Sequence, residues 1–70
     1  MEQRTKQIYQ FIAQYMQEKG ISPTQKEICE RVGIAKSTMN YQMNKLKEGG
    51  YIRFERYKQR SIKLTNKRMG

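Results

Sequence analysis

The sequence predicts a mainly α-helical fold that ends in a small β-hairpin. Three segments carry apolar residues at spacings of three and four, which indicates amphipathic helices. Two short segments near the C-terminus alternate apolar and polar residues, a pattern typical of half-buried strands. A length of 70 residues allows one domain. We therefore expect residues 1–70 to form a single unit, ordered over about 3–65, with a tail at 66–70 that frays.

The first helix is predicted over residues 5–19. Gly20 suits the C-terminal cap of this helix, and Pro23 prevents the helix from continuing. The apolar residues that define its inner face are Ile8, Phe11, Ile12, Tyr15 and Met16.

The second helix is predicted over residues 25–32. Thr24 and Glu27 have the T-x-x-E spacing of a capping box, in which the threonine caps the helix and the glutamate reaches back. Ile28 and Val32 are four residues apart and face inward. Gly33 follows where the chain must leave the helix, a position that often needs a positive φ.

The third helix is predicted over residues 37–48, and the hairpin follows it. Met39, Met43 and Leu46 repeat at helical spacing, and a Gly-Gly pair then ends the helix. Strands are predicted over 51–56 and 61–65, joined by the polar link 57–60. This order of elements is a winged helix-turn-helix, with three helices and a two-stranded wing.

Charge and residue usage narrow the functional class. Lysine and arginine number 15 against 6 acids, for a net charge of +9, and residues 51–70 hold seven bases and one acid. Such a balance indicates a polyanionic partner. With no histidine and a single cysteine, we expect no metal site, no cofactor and no enzymatic activity. No apolar run is long enough to span a membrane, so the expected location is the cytoplasm, in association with the nucleoid.

The outer face of the third helix suits the reading of base edges. Asparagine can pair with adenine through two hydrogen bonds, and serine and threonine can donate or accept, whereas a face that serves only solubility would more often use Glu and Lys. An ordinary polar helix face is the structural alternative. The residues predicted to contact DNA from this helix are Lys36, Ser37, Thr38, Asn40, Tyr41, Asn44 and Lys45.

Two further groups are predicted to contact the DNA backbone. The start of helix two offers free backbone amides and hydroxyl groups to a phosphate. The wing projects basic and aromatic side chains toward a flanking phosphate or a minor groove. The predicted residues are Ser22, Thr24 and Gln25 at helix two, and Arg53, Tyr57, Lys58 and Arg60 in the wing.

Several segments carry a family resemblance. They are QIYQFIAQYMQEKG at 7–20, Ile21-Ser22-Pro23-Thr24 followed by Glu27-Ile28, Gly33-Ile34, Leu46, EGGYI at 48–52 and SIKL at 61–64. With these segments the chain resembles the N-terminal DNA-binding domain of LexA-type repressors, a winged helix-turn-helix. The resemblance implies operator binding. The chain departs from the family in length: LexA continues into a self-cleaving C-terminal domain, and we expect no room for one in 70 residues.

The segment between Gly33 and Gly49 is one residue shorter than is usual in LexA, so the positions of the recognition helix are not carried over one by one. We predict a sequence-specific double-stranded DNA-binding regulator, a small repressor of phage, plasmid or mobile-element type. The expected state is a monomer in solution that pairs weakly on an operator, which can be an inverted repeat. The alternatives are a winged-helix protein-interaction module, such as an antirepressor or assembly factor, and a non-specific nucleic-acid binder.

Overall fold

A computed structural model of the chain describes residues 2–55 and 58–67. Three helices precede one short antiparallel ribbon, in which Ile52 lies opposite Leu64. The elements are α1 (Gln3–Lys19), α2 (Gln25–Val32), α3 (Lys36–Glu48), β1 (Ile52–Arg53) and β2 (Lys63–Leu64). The predicted fold class, three helices plus a two-stranded wing, is confirmed.

The helix ends follow the local signals in the sequence. Gly20 has φ 74°, and its N–H donates to the Met16 carbonyl at 2.9 Å. At the start of α2 both halves of the capping box form: Glu27 N–H donates to Thr24 Oγ1 at 3.1 Å, and Thr24 N–H donates to Glu27 Oε1 at 2.8 Å. Gly33 ends α2 with φ 77°. Because glycine lacks Cβ, it adopts this left-handed conformation with little strain.

The hairpin ladder is shorter than predicted. Strands were expected over 51–56 and 61–65, yet regular pairing is limited to Ile52–Arg53 and Lys63–Leu64. Near the wing tip a side chain replaces the ladder: Glu55 N–H donates to Ser61 Oγ at 2.9 Å, and the same hydroxyl donates to the Glu55 carbonyl at 3.1 Å. Residues 56 and 57, the end of the predicted first strand and the start of the link, lie outside the described residues.

One core joins all three helices to the wing. Met39, Met43 and Leu46 of α3 are buried as their spacing predicts, and Tyr9 packs edge-on against Tyr51 with ring centroids 5.9 Å apart. The other buried apolar residues are Ile8 and Ile12 of α1, Ile28 of α2, and Ile52 and Ile62 of the wing. The wing is therefore packed on the helices through the buried Ile52 and Ile62 and the partly buried Phe54 and Leu64.

The α1–α3 contact also contains a buried polar pair that the sequence patterns do not reveal. The Thr5 hydroxyl, which is fully buried, donates to Gln42 Oε1, and Gln42 itself is 4% exposed. The Gln42 amide nitrogen in turn donates to a Glu2 carboxylate oxygen at 3.4 Å. Both buried polar side chains are hydrogen-bonded, as burial in a low-dielectric interior requires.

The segment after β2 packs against the end of α3. The Lys67 ammonium donates to the Gly49 carbonyl at 2.8 Å and lies 4.6 Å from the centre of the Tyr51 ring. A cation at this position also complements the negative end of the α3 dipole. Lys67 belongs to the stretch predicted to fray, while residues 68–70 lie outside the described residues. Within the described residues no helix is long and apolar enough to cross a membrane.

Candidate nucleic-acid interface

The outer face of α3 is a polar surface beside the core. Ser37, Thr38, Asn40 and Tyr41 are exposed, and Tyr41 retains 57% of its surface. Asn44 is half-buried on the same helix. These side chains fall on the face predicted from the inward positions of the core residues. The result is a row of neutral donors and acceptors with one exposed aromatic ring.

The N-terminus of α3 is open to solvent. Ala35 is the N-cap, and no side chain caps the helix there. The first backbone N–H groups of an α-helix have no partner within the helix, so these amides remain able to donate to an anion. Lys36, the first residue of α3, is exposed beside them. This end of α3 therefore combines amide donors, a partial positive charge and a lysine.

Lys45 is paired within the protein. Its Nζ lies 2.7 Å from Glu2 Oε1 and 5.4 Å from the centre of the Tyr41 ring. The hydrogen bond from Lys45 lowers the pKa of Glu2, and the same bond raises the pKa of Lys45. The positive charge of Lys45, which was predicted to contact DNA, is thus balanced by the carboxylate of Glu2 near the N-terminus. No local pattern could have found this pair, because the two residues are 43 positions apart.

At the start of α2 the predicted phosphate contacts are mostly engaged in holding the fold. The Thr24 hydroxyl caps the helix. Ser22 is 6% exposed, donates from Oγ to the Pro23 carbonyl at 2.9 Å and accepts from Ile62 N–H at 3.2 Å. The Ser22 hydroxyl, predicted as part of the phosphate contact, is buried and joins the turn before α2 to the wing. Gln25 is half-buried.

The wing residues divide into an outward and an inward group. Arg53 and Lys58 are exposed, and the Lys58 ammonium is 3.9 Å from the Glu55 carboxylate. Tyr57 lies outside the described residues. Arg60 turns back toward the helices: its Nη1 donates to the Ser22 carbonyl at 2.9 Å and to Glu27 Oε1 at 3.1 Å. The structure thus holds the guanidinium of Arg60 against the helices, although 41% of the Arg60 side chain remains exposed, while Arg53 and Lys58 stay on the outside of the wing.

Glu27 is the centre of the contacts that receive Arg60. Its carboxylate accepts from the Thr24 backbone, from the Tyr15 hydroxyl at 3.1 Å and from Arg60. The Thr24 backbone hydrogen bond is the largest influence that lowers the pKa of Glu27, and the charge of Arg60 adds to it. Contacts with Tyr15 and Glu27 raise the pKa of Arg60. We call Tyr15, Glu27 and Arg60 the wing anchor.

A groove runs between the start of α2, the start of α3 and the wing. Cys29, Met39 and Ile62 are among the apolar side chains that line it, and burial raises the pKa of the Cys29 thiol. Three exposed lysines also line the groove, namely Lys26, Lys36 and Lys58. Lys26 was not predicted as a site residue. Its position in the first turn of α2, next to the predicted Gln25, could have indicated a phosphate contact. A concave surface lined by these three lysines and by Arg60 is suited to a phosphate backbone.

The described residues hold no group of three or more His, Cys, Asp or Glu side chains able to bind a metal ion.

The model of the family described as the LexA DNA binding domain matches residues 1–61. The chain belongs to this family. The match spans α1, α2, α3 and β1, and it includes every residue predicted for the interface. The resemblance seen in the sequence is confirmed.

Relatives within the LexA family extend well beyond this chain. It is 41% identical over 64 residues to the LexA repressor of Staphylococcus aureus strain USA300, a match that covers 90% of this chain and 31% of the relative. The LexA repressors of strains NCTC 8325 / PS 47 and Mu3 / ATCC 700698 show the same identity and coverage. The chain therefore spans about a third of the length of these LexA repressors.

Proposed function

We propose that this chain binds double-stranded DNA in a sequence-specific manner and acts in transcriptional repression. The observation that carries the proposal is the row of exposed Ser37, Thr38, Asn40 and Tyr41, with half-buried Asn44, on α3 beside a groove lined by lysines. Membership of the LexA DNA-binding-domain family supports it. A helix of this kind fits the major groove, where each base pair presents a distinct pattern of donors and acceptors.

The α3 face would supply base contacts. Asn40 and Asn44 can each donate and accept at an adenine, and Ser37 and Thr38 near the helix start can serve either partner. The Tyr41 ring, which is exposed, can pack on a thymine methyl group. None of these side chains carries a charge, so what they add is discrimination between bases more than general attraction to DNA.

The lysines of the groove and the start of α3 would contact phosphates. Lys26 lines the groove from α2 and Lys58 from the wing, and Lys36 stands with the free amides of α3. Arg53 adds an exposed charge on β1. Each phosphate neutralised by such a cation releases counterions, which makes the affinity fall with salt.

Finer features of the proposal concern biological context and stoichiometry. We propose a small repressor of phage, plasmid or mobile-element type that acts at the nucleoid in the cytoplasm. One winged domain covers about one half-site. A monomer in solution that pairs weakly on an inverted-repeat operator accounts for binding with two recognition helices.

Selection of duplexes from a random oligonucleotide pool tests the proposal. The recovered sequences should share a motif, and an inverted repeat among them would show two chains per site. Affinity for a winning duplex and for a scrambled duplex is then measured at two salt concentrations. Binding to both duplexes with equal affinity at each salt concentration would contradict base recognition and would favour a non-specific binder.

The exposed apolar residues favour a second candidate function. Tyr41 and Ile21 retain 57% and 49% of their surface, which is high for large apolar side chains. A winged-helix protein-interaction module, such as an antirepressor or assembly factor, would use such residues against a protein partner. This candidate predicts that no duplex is enriched in the selection and that no duplex binds even at low salt.

A further inference from the structure

We propose that Arg60 is a positioning residue, and that its ion pair with Glu27 fixes the wing relative to α3. This inference rests on the proposed DNA-binding function and assigns different roles to the basic residues of the wing. Arg53 and Lys58 face outward and contact DNA, whereas Arg60 faces the protein and sets where they stand. The residue type and position of Arg60 had predicted a phosphate contact instead.

The contacts of Arg60 join three separate parts of the fold. Its Nη1 lies 2.9 Å from the Ser22 carbonyl in the turn before α2, 3.1 Å from Glu27 Oε1 on α2 and 3.3 Å from the Tyr15 hydroxyl on α1. The neighbouring Ile62 N–H donates to Ser22 Oγ. The wing is therefore tied to the helix-turn-helix at two adjacent points, and both of them lie close to its tip.

The backbone of Arg60 is left-handed, and the residue lies in the turn between the two strands of the wing. Among the described residues it is the one non-glycine residue with a positive φ, 52°. Side chains with Cβ adopt this left-handed region rarely, because Cβ approaches the carbonyl oxygen. Two residues earlier, Lys58 lines the groove, so the conformation at Arg60 also influences where this lysine lies.

A phosphate contact made through Nη1 of Arg60 would compete with this arrangement. Nη1 is already shared among three acceptors, one of them a carboxylate. The two roles therefore predict opposite effects for Glu27. If Arg60 contacted phosphate, removal of the Glu27 charge would free the guanidinium and strengthen DNA binding. If Arg60 positions the wing, the same change releases the wing and weakens binding.

The first test compares Glu27→Gln with Glu30→Gln. Glutamine at the third helical position still accepts from the Thr24 backbone, so the cap is retained. Glu30 is exposed on the same helix, and its replacement changes the net charge equally. We expect Glu27→Gln to weaken binding to the selected duplex about fivefold or more, the range of moderate coupling between two sites. Glu30→Gln should bind as well as the original chain or better. Stronger binding by Glu27→Gln would overturn the proposal.

The second test is the salt dependence of Arg60→Gln. A residue that contacts phosphate contributes about 0.9 to the slope of log affinity against log salt. We expect Arg60→Gln to lose affinity while the slope stays that of the original chain, and Lys58→Gln to lower the slope by about 0.9. The double variant Glu27→Gln/Arg60→Gln should bind as weakly as either single variant, because both changes break one interaction. A slope reduced by about 0.9 in Arg60→Gln would assign Arg60 to phosphate.

A third measurement needs no DNA. In the free chain, amide hydrogen exchange at Glu55 and Ile62 measures how firmly the wing is held. Glu55 N–H donates to Ser61 Oγ within the wing, and Ile62 N–H donates to Ser22 Oγ in the turn before α2. Glu27→Gln and Arg60→Gln should each speed exchange at these two amides and leave the exchange rate of the Met43 amide in α3 unchanged. Unchanged exchange at Glu55 and Ile62 would contradict the anchor. If the original chain selects no duplex, the proposed function fails, while this measurement still decides whether Arg60 holds the wing.

Discussion

Asn40 and Asn44 occupy neighbouring turns of the outer face of α3, one exposed and one half-buried. An asparagine in the middle of a helix is a weaker helix former than Lys or Glu, so the helix itself gains nothing from these two residues. Their amides can donate and accept at the same base, which charged side chains cannot do. At the scale of single residues, these two amides suit the base recognition that we propose for this face.

We predict that Asn40→Ala and Asn44→Ala each relax base preference at one or two positions of the selected site. The loss in discrimination should be about 1–3 kcal/mol per asparagine, the value of one good contact to a base edge. Titration of each variant with the selected duplex and with single-base substitutions measures it. Equal weakening on the selected and the scrambled duplex would show that the asparagines do not read bases.

Lys45 leads to a second prediction at this scale, because Glu2 neutralises it. We expect Glu2→Gln to free the ammonium and to strengthen binding to selected and scrambled duplex alike, by about two- to fivefold at low salt and less at high salt. Glu18→Gln on α1 is the matched control, since Glu18 is exposed and touches only Gln14 among the described contacts. The same gain in both variants would assign the effect to net charge and not to Lys45.

At the scale of elements, α2 depends on its cap. The helix has 8 residues, too few to be stable in isolation, and Thr24 satisfies one of its free N–H groups. We predict that Thr24→Ala lowers the free energy of unfolding by about 0.5–2 kcal/mol. Thr24→Ser keeps the hydroxyl and should retain most of that stability. Chemical denaturation of the two variants distinguishes them, and equal losses would show that the hydroxyl is not the cause.

The buried Thr5–Gln42 pair links α1 to α3 and sets a second prediction for this scale. Thr5→Val leaves the Gln42 carbonyl oxygen buried without its donor, which should cost about 1–3 kcal/mol of unfolding free energy. The double variant Thr5→Val/Gln42→Leu removes both polar groups and should recover part of that loss. Denaturation of the two single variants and the double variant completes the cycle. Strictly additive losses would mean that the two side chains do not interact.

For the whole molecule, acid should destabilise the fold through two carboxylates. Hydrogen bonds lower the pKa of Glu2 and Glu27 in the folded state. A lowered pKa contributes stability above the unfolded value, about 4.3 for glutamate, and that contribution is lost as the pH falls through the folded value. We expect the free energy of unfolding to decline below about pH 4.3, and to decline less steeply in Glu27→Gln. Equal acid slopes in the two proteins would contradict a role for Glu27.

Most of the fold could be predicted from the sequence because its signals are local. The apolar spacing of α1 and α3, the T-x-x-E cap of α2 and the glycines at 20 and 33 each act within a few residues of where they stand. α2 was predicted with its observed limits, and α1 and α3 within one or two residues. The hairpin was predicted too long, since Ser61 bonds to Glu55 in place of a ladder, and no period-two pattern shows that.

The candidate interface divides in the same way. Helical phase alone placed Ser37, Asn40 and Tyr41 on the surface, because facing one side of α3 to the core exposes the other. Only the tertiary structure decided which charges stay free. Glu2 meets Lys45 across 43 positions and Glu27 meets Arg60 across 33, and such contacts depend on how helices and wing pack, not on neighbours in the chain. The sequence by itself determined the elements and the polar face of α3; the packing decided that Lys45 is balanced by Glu2 and that Arg60 turns inward.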